Sequence, residues 1–272
     1  MRLKGFMKIQ VNLKIIDNLL KESVEYRTHY IASILVITLP LIFIFLLWDS
    51  IFTEVNFIGD YTNIKIVTYY ILVILLRDVF YAGVNYEIAN DIREGRLSNY
   101  LVKPYSYFGH SLSIKIGANI QYIPMTVVIL AIFDQLFLKK FFFPSVFSNY
   151  LYFFIVLFLS FILSFLLTFT ISLTAFWIEE ISSLQTFLDI IVPISAGALL
   201  PLSLFPEFLQ KFFSFLPFKY LLNFPIETYL GNLMPSEIFV GIFVEAVWII
   251  VFCFSAYFLW RAGTKKYQAY GG

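Results

Sequence analysis

Charged residues are scarce in this chain of 272 residues. Only 14% of the residues are Asp, Glu, Lys or Arg, and 60% are hydrophobic. A soluble domain is nearer one quarter charged and one half apolar. The apolar residues recur in separate blocks along the whole chain, and the mean hydropathy is +0.82. This composition excludes a water-soluble globule.

Cysteine, histidine and excess charge are also nearly absent. The single cysteine, Cys253, lies in an apolar run, so neither a disulfide nor a thiolate metal site can form within the chain. His29 and His110 are isolated, which gives no metal-ligand cluster. No Gly-x-x-x-x-Gly-Lys-Ser/Thr loop occurs, and the net charge of +1 gives no basis for nucleic-acid binding. We therefore expect no catalytic, metal or cofactor site in this chain.

Long apolar windows dominate what remains. A helix needs about 20 mostly apolar residues to cross a bilayer. The windows that meet this length are Tyr30 to Phe52, Ile64 to Tyr86, Leu112 to Leu138, Tyr150 to Trp177, Leu184 to Leu204 and Ile238 to Trp260. The sequence predicts an all-α membrane protein in which residues 30–272 form a domain of six transmembrane helices.

The distribution of Lys and Arg predicts the orientation, because cytoplasmic flanks carry the excess of basic residues. With the N-terminus inside, thirteen of the 19 basic residues lie on cytoplasmic flanks and five on outer flanks. Both termini are then expected in the cytoplasm. The charged stretch before Tyr30 is too long for a signal-peptide n-region, so we expect no cleaved leader.

Residues 1–29 precede the first window and show helical periodicity. Apolar side chains recur every three or four residues from Phe6 to Val24, with charged residues on the opposite face. This pattern predicts an amphipathic helix that lies in the cytoplasmic membrane interface. The alternative is a helix packed only on the protein's own cytoplasmic segments.

Residues 87–104, between the second and third windows, form a charged elbow. Residues 86–94 are expected to extend the second helix into the cytoplasm, and Gly95 to end it in the left-handed conformation. Leu97, Tyr100 and Leu101 are expected to be exposed, which together with the mixed charge is typical of a docking surface. An ordinary solvated loop accounts for the same residues equally well on physical grounds alone.

The outer segment, residues 205–235, is apolar but broken by proline. Pro206, Pro217 and Pro225 divide it into pieces of about ten residues, too short to span a bilayer. Such pieces are tolerated at membrane depth where protein or water satisfies the freed backbone groups. The sequence predicts a re-entrant hairpin of two short helices in the outer leaflet, between spans five and six.

Few ionisable residues fall at mid-membrane depth in the predicted spans, and those that do usually face protein or a cavity. They are Arg77, Asp78, Asp189 and Glu245. Counting 1.5 Å per residue from the cytoplasmic helix ends places Arg77 and Asp189 at compatible depths. We therefore hypothesise an ion pair between Arg77 and Asp189. A proton relay through these groups is a weaker alternative.

Three stretches carry a resemblance to a known family. They are Tyr86-Glu87-Ile88 through Gly95-Arg96-Leu97 to Lys103-Pro104, then Phe176-Trp177, then Leu216-Pro217-Phe218 with Gly231-Asn232-Leu233. With the six-span topology, they make the chain resemble the permease subunits of type-2 ATP-binding-cassette (ABC) exporters, in particular a six-span bacterial subgroup of multidrug-type permeases.

This resemblance implies a function. The elbow would act as a coupling helix in a groove of a separate ATPase, and the contact residues would be Glu87, Asp91, Arg93, Glu94, Arg96, Leu97 and Leu101. The exporter would contain two ATPase subunits, which bind the ATP and Mg²⁺, and a second permease, identical or homologous. It would lie in the bacterial cytoplasmic membrane, where membrane lipids surround the permeases.

Other functions remain open at this point. A membrane enzyme should show a cluster of reactive side chains at one interface, whereas the carboxylates here are scattered. An ion-coupled secondary transporter should show inverted repeats with interrupted helices, and only Pro193 with Gly197 hints at one. A sensor or immunity protein of the same fold, which transports nothing, is a further alternative.

Overall fold

The computed structural model describes residues 27–81, 84–103, 106–136, 141–178 and 181–267. This part of the chain is almost entirely helical. The helices are α1 (Arg27–Ile51), α2 (Asn63–Tyr81), α3 (Val84–Arg93), α4 (Ser98–Leu101), α5 (Tyr107–Leu136), α6 (Phe147–Ser172), α7 (Ser182–Ser195), α8 (Glu207–Ser214), α9 (Asn223–Leu230) and α10 (Pro235–Lys266). Single 3₁₀ turns occur at Leu173–Phe176, Leu202–Leu204 and Pro217–Tyr220.

The long helices follow the predicted windows closely. Helices α1, α2, α5, α6 and α10 correspond to predicted spans one, two, three, four and six. Within the described ranges, two helical stretches are long and apolar enough to cross a membrane, Phe147–Phe176 and Pro235–Lys266. Crossing by the other predicted spans stays a prediction. The predicted interfacial helix lies outside the described residues, except for 27–29, which begin α1.

The fifth predicted span differs from the structure. Helix α7 ends at Ser195, so it has 14 residues and a length of about 21 Å, short of the roughly 30 Å of hydrocarbon. Gly197 adopts φ +84°, and the Ala198 N–H donates to the Pro193 carbonyl at 2.8 Å. This is a Schellman motif, which ends a helix at a left-handed residue. A continuous helix from Leu184 to Leu204 is therefore wrong.

The outer segment forms two short helices, α8 and α9, joined by the Pro217–Tyr220 turn. Pro206 directly precedes α8, Pro217 begins the turn, and Pro225 lies in the first turn of α9, where its missing N–H has no intrahelical partner to lose. All residues of α9 are buried. Two short helices therefore occur in this segment, and the re-entrant hairpin in the outer leaflet stays a prediction.

Helix α6 lies at the centre of the described fold. Helices α10 and α9 pack most extensively against it, and α3 packs against its C-terminal part. Two apolar cores result. The outer core joins buried residues of α1, α2 and α9 with the N-terminal half of α6. The elbow core joins α3, Leu97 and the Leu173–Phe176 turn with the C-terminal half of α6.

Candidate functional site

The elbow consists of α3 and α4 joined by a tight turn. Helix α3 ends at Arg93, and Gly95 adopts φ +77°, the left-handed conformation that its position predicts. The Leu97 N–H donates to the Asp91 carbonyl at 2.8 Å, and the Ser98 hydroxyl donates to the Gly95 carbonyl at 2.7 Å. These bonds close the turn and fix α4 relative to α3.

Leu97 anchors the elbow and is not part of its exposed surface. Its side chain is fully buried in the elbow core beside Ile88 and Ile92 of α3, and Tyr100 is half-buried. The expected exposure of Leu97 is therefore wrong, whereas Leu101 is exposed as expected. Burying a Leu side chain stabilises the folded state by about 2 kcal/mol. The turn at Gly95 places Leu97 against the apolar residues that bury it.

Aromatic side chains brace the elbow against the C-terminal end of α10. The Tyr107 ring stacks on Trp260 with ring centroids 5.6 Å apart and meets Tyr100 edge-on at 5.2 Å. Tyr267, just beyond α10, accepts a hydrogen bond at 3.1 Å from the Ser98 N–H. The position of α4 is thus set by residues that lie more than 150 positions away along the chain.

Asp91 connects this brace to the charges of the elbow. Its Oδ1 lies 3.0 Å from Arg96 Nε, and its Oδ2 accepts a hydrogen bond at 2.8 Å from the Tyr107 hydroxyl. Arg96 also pairs with Glu94 at 2.7 Å. Burial and the neighbouring Asp91 carboxylate raise the pKa of Tyr107 above its usual value, so Tyr107 stays a neutral donor. Asp91 therefore holds the elbow together internally.

The remaining predicted contact residues lie at the surface. We call them the elbow rim, and they are Glu87, Arg93, Glu94, Arg96 and Leu101. Val102 and Lys103, beside Leu101, are also exposed, and Val102 is 85% exposed. The rim presents both signs of charge around an apolar patch at α4. A surface of this kind suits a polar protein contact with an apolar centre.

Lys115 ties the elbow end of α2 to α5. Its Nζ donates to the Phe80 carbonyl at 2.7 Å, and its side chain is fully buried. Phe80 is the next-to-last described residue of α2, before the undescribed residues 82–83. Lys115 therefore attaches α5 to the α2 backbone and is buried, although the count of basic residues assigns it to an exposed cytoplasmic flank.

A buried polar network holds the opposite end of α2. Glu227 of α9 accepts hydrogen bonds from the Tyr61 hydroxyl and, at 2.7 Å, from Asn232 Nδ2. Lys65 Nζ donates to Asn232 Oδ1 at 2.5 Å. Burial raises the pKa of the Glu227 carboxyl, while these donors and the Lys65 charge oppose the shift. The network connects the start of α2 to α9.

Two further bonds extend this network to the loop after α7. The Tyr69 hydroxyl donates to the Gly197 carbonyl at 2.8 Å and accepts from Asn223 Nδ2 at 3.2 Å. A Cβ on Gly197 would lie 2.6 Å from the Tyr69 hydroxyl oxygen, so this close approach also requires glycine. Helix α2 is therefore hydrogen-bonded at its outer end both to α9 and to the α7–α8 connection.

Sequence reasoning missed this network and the brace. Glu227 was not among the ionisable residues considered, because it lies outside the predicted spans. A carboxylate next to the apolar stretch around Pro225 was the available signal, since such a group needs several donors when buried. Tyr107 and Tyr267 carried no comparable signal, because aromatic residues are common throughout the chain.

The structure does not pair Arg77 with Asp189. Both side chains are exposed in the single chain, and the ion pairs found among its described residues both belong to Arg96. Asp189 lies instead at a small cavity beside Phe80 and Ser164. Matched depth was the only basis for the pairing, and depth does not determine which way a side chain points around its helix.

Glu245 lies within the fold and is buried. Its Oε1 is 2.9 Å from the Ser160 hydroxyl, which also lies 2.6 Å from the Tyr220 carbonyl. Glu245 Oε2 has no hydrogen-bond partner among the described residues. Glu245 thus connects α10 to α6 and the Pro217–Tyr220 turn.

Comparison with known proteins identifies the family. The family model described as ABC-2 family transporter protein matches residues 38–271, which include the elbow, the polar network and the outer segment. No curated protein and no solved structure matches the chain. Since the match covers most of the chain, this protein belongs to the ABC-2 family of transporter permeases and is a membrane component of a transporter.

Proposed function

We propose that this chain is the permease subunit of an ATP-driven exporter and that its elbow rim docks on a separate ATPase subunit. The observation that carries the proposal is the construction of the elbow in a chain of the ABC-2 family. Its inner side is braced by buried aromatic and aliphatic side chains, while its rim is exposed and charged. A contact that transmits force needs both properties.

The buried side of the elbow supports its role as a rigid element. Leu97 attaches the turn before α4 to the elbow core, the Tyr107–Trp260 stack attaches α5 to α10, and Asp91 attaches α3 to both the turn and α5. A push on the rim would therefore move α3, α5 and α10 together. A freely solvated loop, the alternative interpretation of the same residues, would absorb such a push through backbone rotation.

Helix α2 is the proposed transmission element. Near the elbow, Lys115 of α5 is hydrogen-bonded to the Phe80 carbonyl of α2, and at the other end Tyr61, Lys65 and Tyr69 attach α2 to the outer network. Residues 82–83, between α2 and α3, lie outside the described part of the chain. In the proposed cycle, closure of the ATPase pair moves the elbows, and α2 passes the displacement to α9 and the outer segment.

The proposed assembly contains two ATPase subunits and a second permease, identical or homologous to this one. ATP and Mg²⁺ bind to the ATPases. The complex lies in the bacterial cytoplasmic membrane with both termini of this chain in the cytoplasm, where the excess of basic flanks places them. Substrate leaves the cell along the surface between the two permeases, and the outer segment forms a re-entrant hairpin there.

Co-purification with an ATPase tests the proposal directly. The tagged full chain is isolated in mild detergent from its own cells, and any retained subunit is assayed for ATP hydrolysis and for a phosphate-binding loop. Wild type should retain such a subunit. The double substitution Arg93→Asp with Leu101→Asp should lose it, because both side chains are exposed on the rim.

Two controls separate contact from folding. Lys211→Asp changes an exposed charge on α8, far from the elbow in sequence, and should leave the ATPase bound. Leu97 is unsuitable as a contact probe, because a charge at this buried position would unfold the elbow. Retention of the ATPase by the rim variant, or transport by the purified permease alone, would contradict the proposal.

A further inference from the structure

A groove runs along the cytoplasmic half of α10, next to the elbow. It has a volume of about 360 Å³, and its walls come from α4, the start of α5, α6 and α10. Apolar and aromatic side chains, among them Phe108, Leu166 and Phe169, form most of its surface. On α10, the lining residues run from Cys253 to Trp260.

The groove has the direction of a lipid tail and covers about two thirds of the hydrocarbon depth of one leaflet, which is roughly 15 Å. Cys253 and Trp260 are seven residues apart on one helix, which is about 10 Å along its axis. Both lie in the last third of predicted span six, so the groove points from the bilayer interior toward the cytoplasmic surface. Trp260 and Tyr257 line its surface end, where amphipathic rings prefer to lie.

The surface end of the groove is basic. Lys103 Nζ lies 4.8 Å from the centroid of the Tyr100 ring, which forms part of the groove wall. Arg261, Lys265 and Lys266 are exposed at the same end of α10. The acidic residues Asp91 and Glu94 of the elbow are engaged by Arg96. The apolar groove is therefore bordered by Lys103 on the α4 side and by the basic end of α10, while Glu87 of α3 is the acidic residue whose charge acts on Tyr107 in its wall together with Asp91.

We propose that this groove binds one acyl chain of an anionic phospholipid of the cytoplasmic leaflet. The phosphate would lie between Lys103 and Arg261, with the Ser106 hydroxyl available as a donor at the mouth. Tyr100 and Leu101 of α4 belong to the groove wall, so the bound lipid becomes part of the surface that positions the elbow. This inference does not depend on the ATPase contact.

Native mass spectrometry of the full chain tests the lipid preference. The protein is equilibrated in detergent micelles that contain equal amounts of phosphatidylglycerol and phosphatidylcholine, and the lipid retained on the chain is counted. Each basic residue near an anionic headgroup favours binding, so we expect phosphatidylglycerol to be retained roughly tenfold over phosphatidylcholine. Lys103→Gln with Arg261→Gln should bring the ratio close to one.

Cys253 locates the bound lipid within the molecule. It is the single cysteine of the chain and is exposed in the groove, so its alkylation by N-ethylmaleimide reports access. Phosphatidylglycerol should slow this reaction several-fold relative to phosphatidylcholine. Cys253→Trp should fill the groove and abolish retention, whereas Val251→Trp, on an exposed side chain of the same helix outside the groove wall, should not. Lys211→Gln is the matched charge control.

Three results would overturn the inference. The first is equal retention of the two lipids by wild type, which would mean a general apolar surface. The second is full retention by Cys253→Trp, which would place the lipid elsewhere. The third is retention that appears only after residues 1–26 are deleted, because the N-terminal segment would then be the occupant of the groove.

Discussion

The elbow and the outer network are held by opposite kinds of interaction. At the elbow end, apolar and aromatic packing around Leu97 and Tyr107 is buried, and the charged groups lie at the surface. At the outer end, charged and polar groups around Glu227 are themselves buried and hydrogen-bonded. The charged residues of the elbow rim lie at the surface, where a partner could contact them. The polar groups of the outer network form hydrogen bonds between the chain's own helices.

This difference has a physical consequence for motion. Apolar packing is non-directional and tolerates small sliding displacements, so the elbow can shift without losing its contacts. Hydrogen bonds in a buried network depend on distance and angle, and an unpaired member is costly. The outer end is therefore expected to resist displacement until the network breaks as a unit.

The largest effect is expected from Leu97→Ala, which removes the anchor of the elbow. Its side chain is fully buried, and truncation of such a Leu costs about 3 kcal/mol because a cavity remains. Unfolding of the detergent-solubilised full chain measures the loss. Leu101→Ala, on the exposed neighbour, is the control and should leave stability unchanged. Equal effects at the two positions would show that Leu97 is not the anchor.

Glu227→Ala breaks the outer network and should cost about 2 kcal/mol, because the Tyr61 and Asn232 donors are left without their acceptor. Glu227→Gln should cost less, since an amide keeps an acceptor oxygen and burial already disfavours the charged carboxylate. The same unfolding measurement applies, with the exposed Glu54→Ala as control. A Gln variant as unstable as the Ala variant would mean that the charge itself is required.

Two glycines of α10 allow the two ends to be compared by the same change. A Cβ on Gly263 would lie 2.1 Å from the Phe176 ring at the elbow end, and a Cβ on Gly241 would lie 2.2 Å from the Phe224 ring at the outer end. Alanine at either site should cost about 1–2 kcal/mol through overpacking. In the proposed function, only Gly263→Ala should also weaken ATPase retention.

Tyr107→Phe should have the smallest effect, about 1 kcal/mol, because one hydrogen bond to Asp91 is lost while the stack on Trp260 remains. Unfolding of the full chain again measures the change. Tyr107→Leu removes the ring as well and should be clearly worse. If the two variants are equally stable, the stacked ring contributes nothing to the brace.

Much of the local structure could be predicted from the sequence. The end of α1, the approximate extent of α6, the turn at Gly95 and the two short helices of the outer segment follow from apolar runs, glycine and proline. Each of these depends on residues that are near neighbours in the chain. The end of α7 was missed because the Schellman motif after Pro193 competes with an apolar run that continues to Leu204.

The contacts between distant segments could not be predicted. Leu97 is apolar in either environment, and only the arrival of α6 and the Leu173–Phe176 turn decides that it is buried. Arg77 and Asp189 have suitable charge and depth, but the rotation of α2 and α7 about their axes keeps them apart. Periodicity predicts which face of a helix is apolar, but it does not predict which other helix packs against that face.

The sequence alone determined that this protein is helical and membrane-embedded. The length and hydropathy of each segment are local properties, and an apolar segment long enough to cross a bilayer forms a helix because its backbone polar groups must then bond to one another. The tertiary structure decided which polar groups are buried together and which remain on the surface. Tyr61 and Glu227 are 166 residues apart in the chain. Because a hydrogen bond needs its two atoms within a few ångströms of each other, this contact exists only after α9 has packed between α2 and α6.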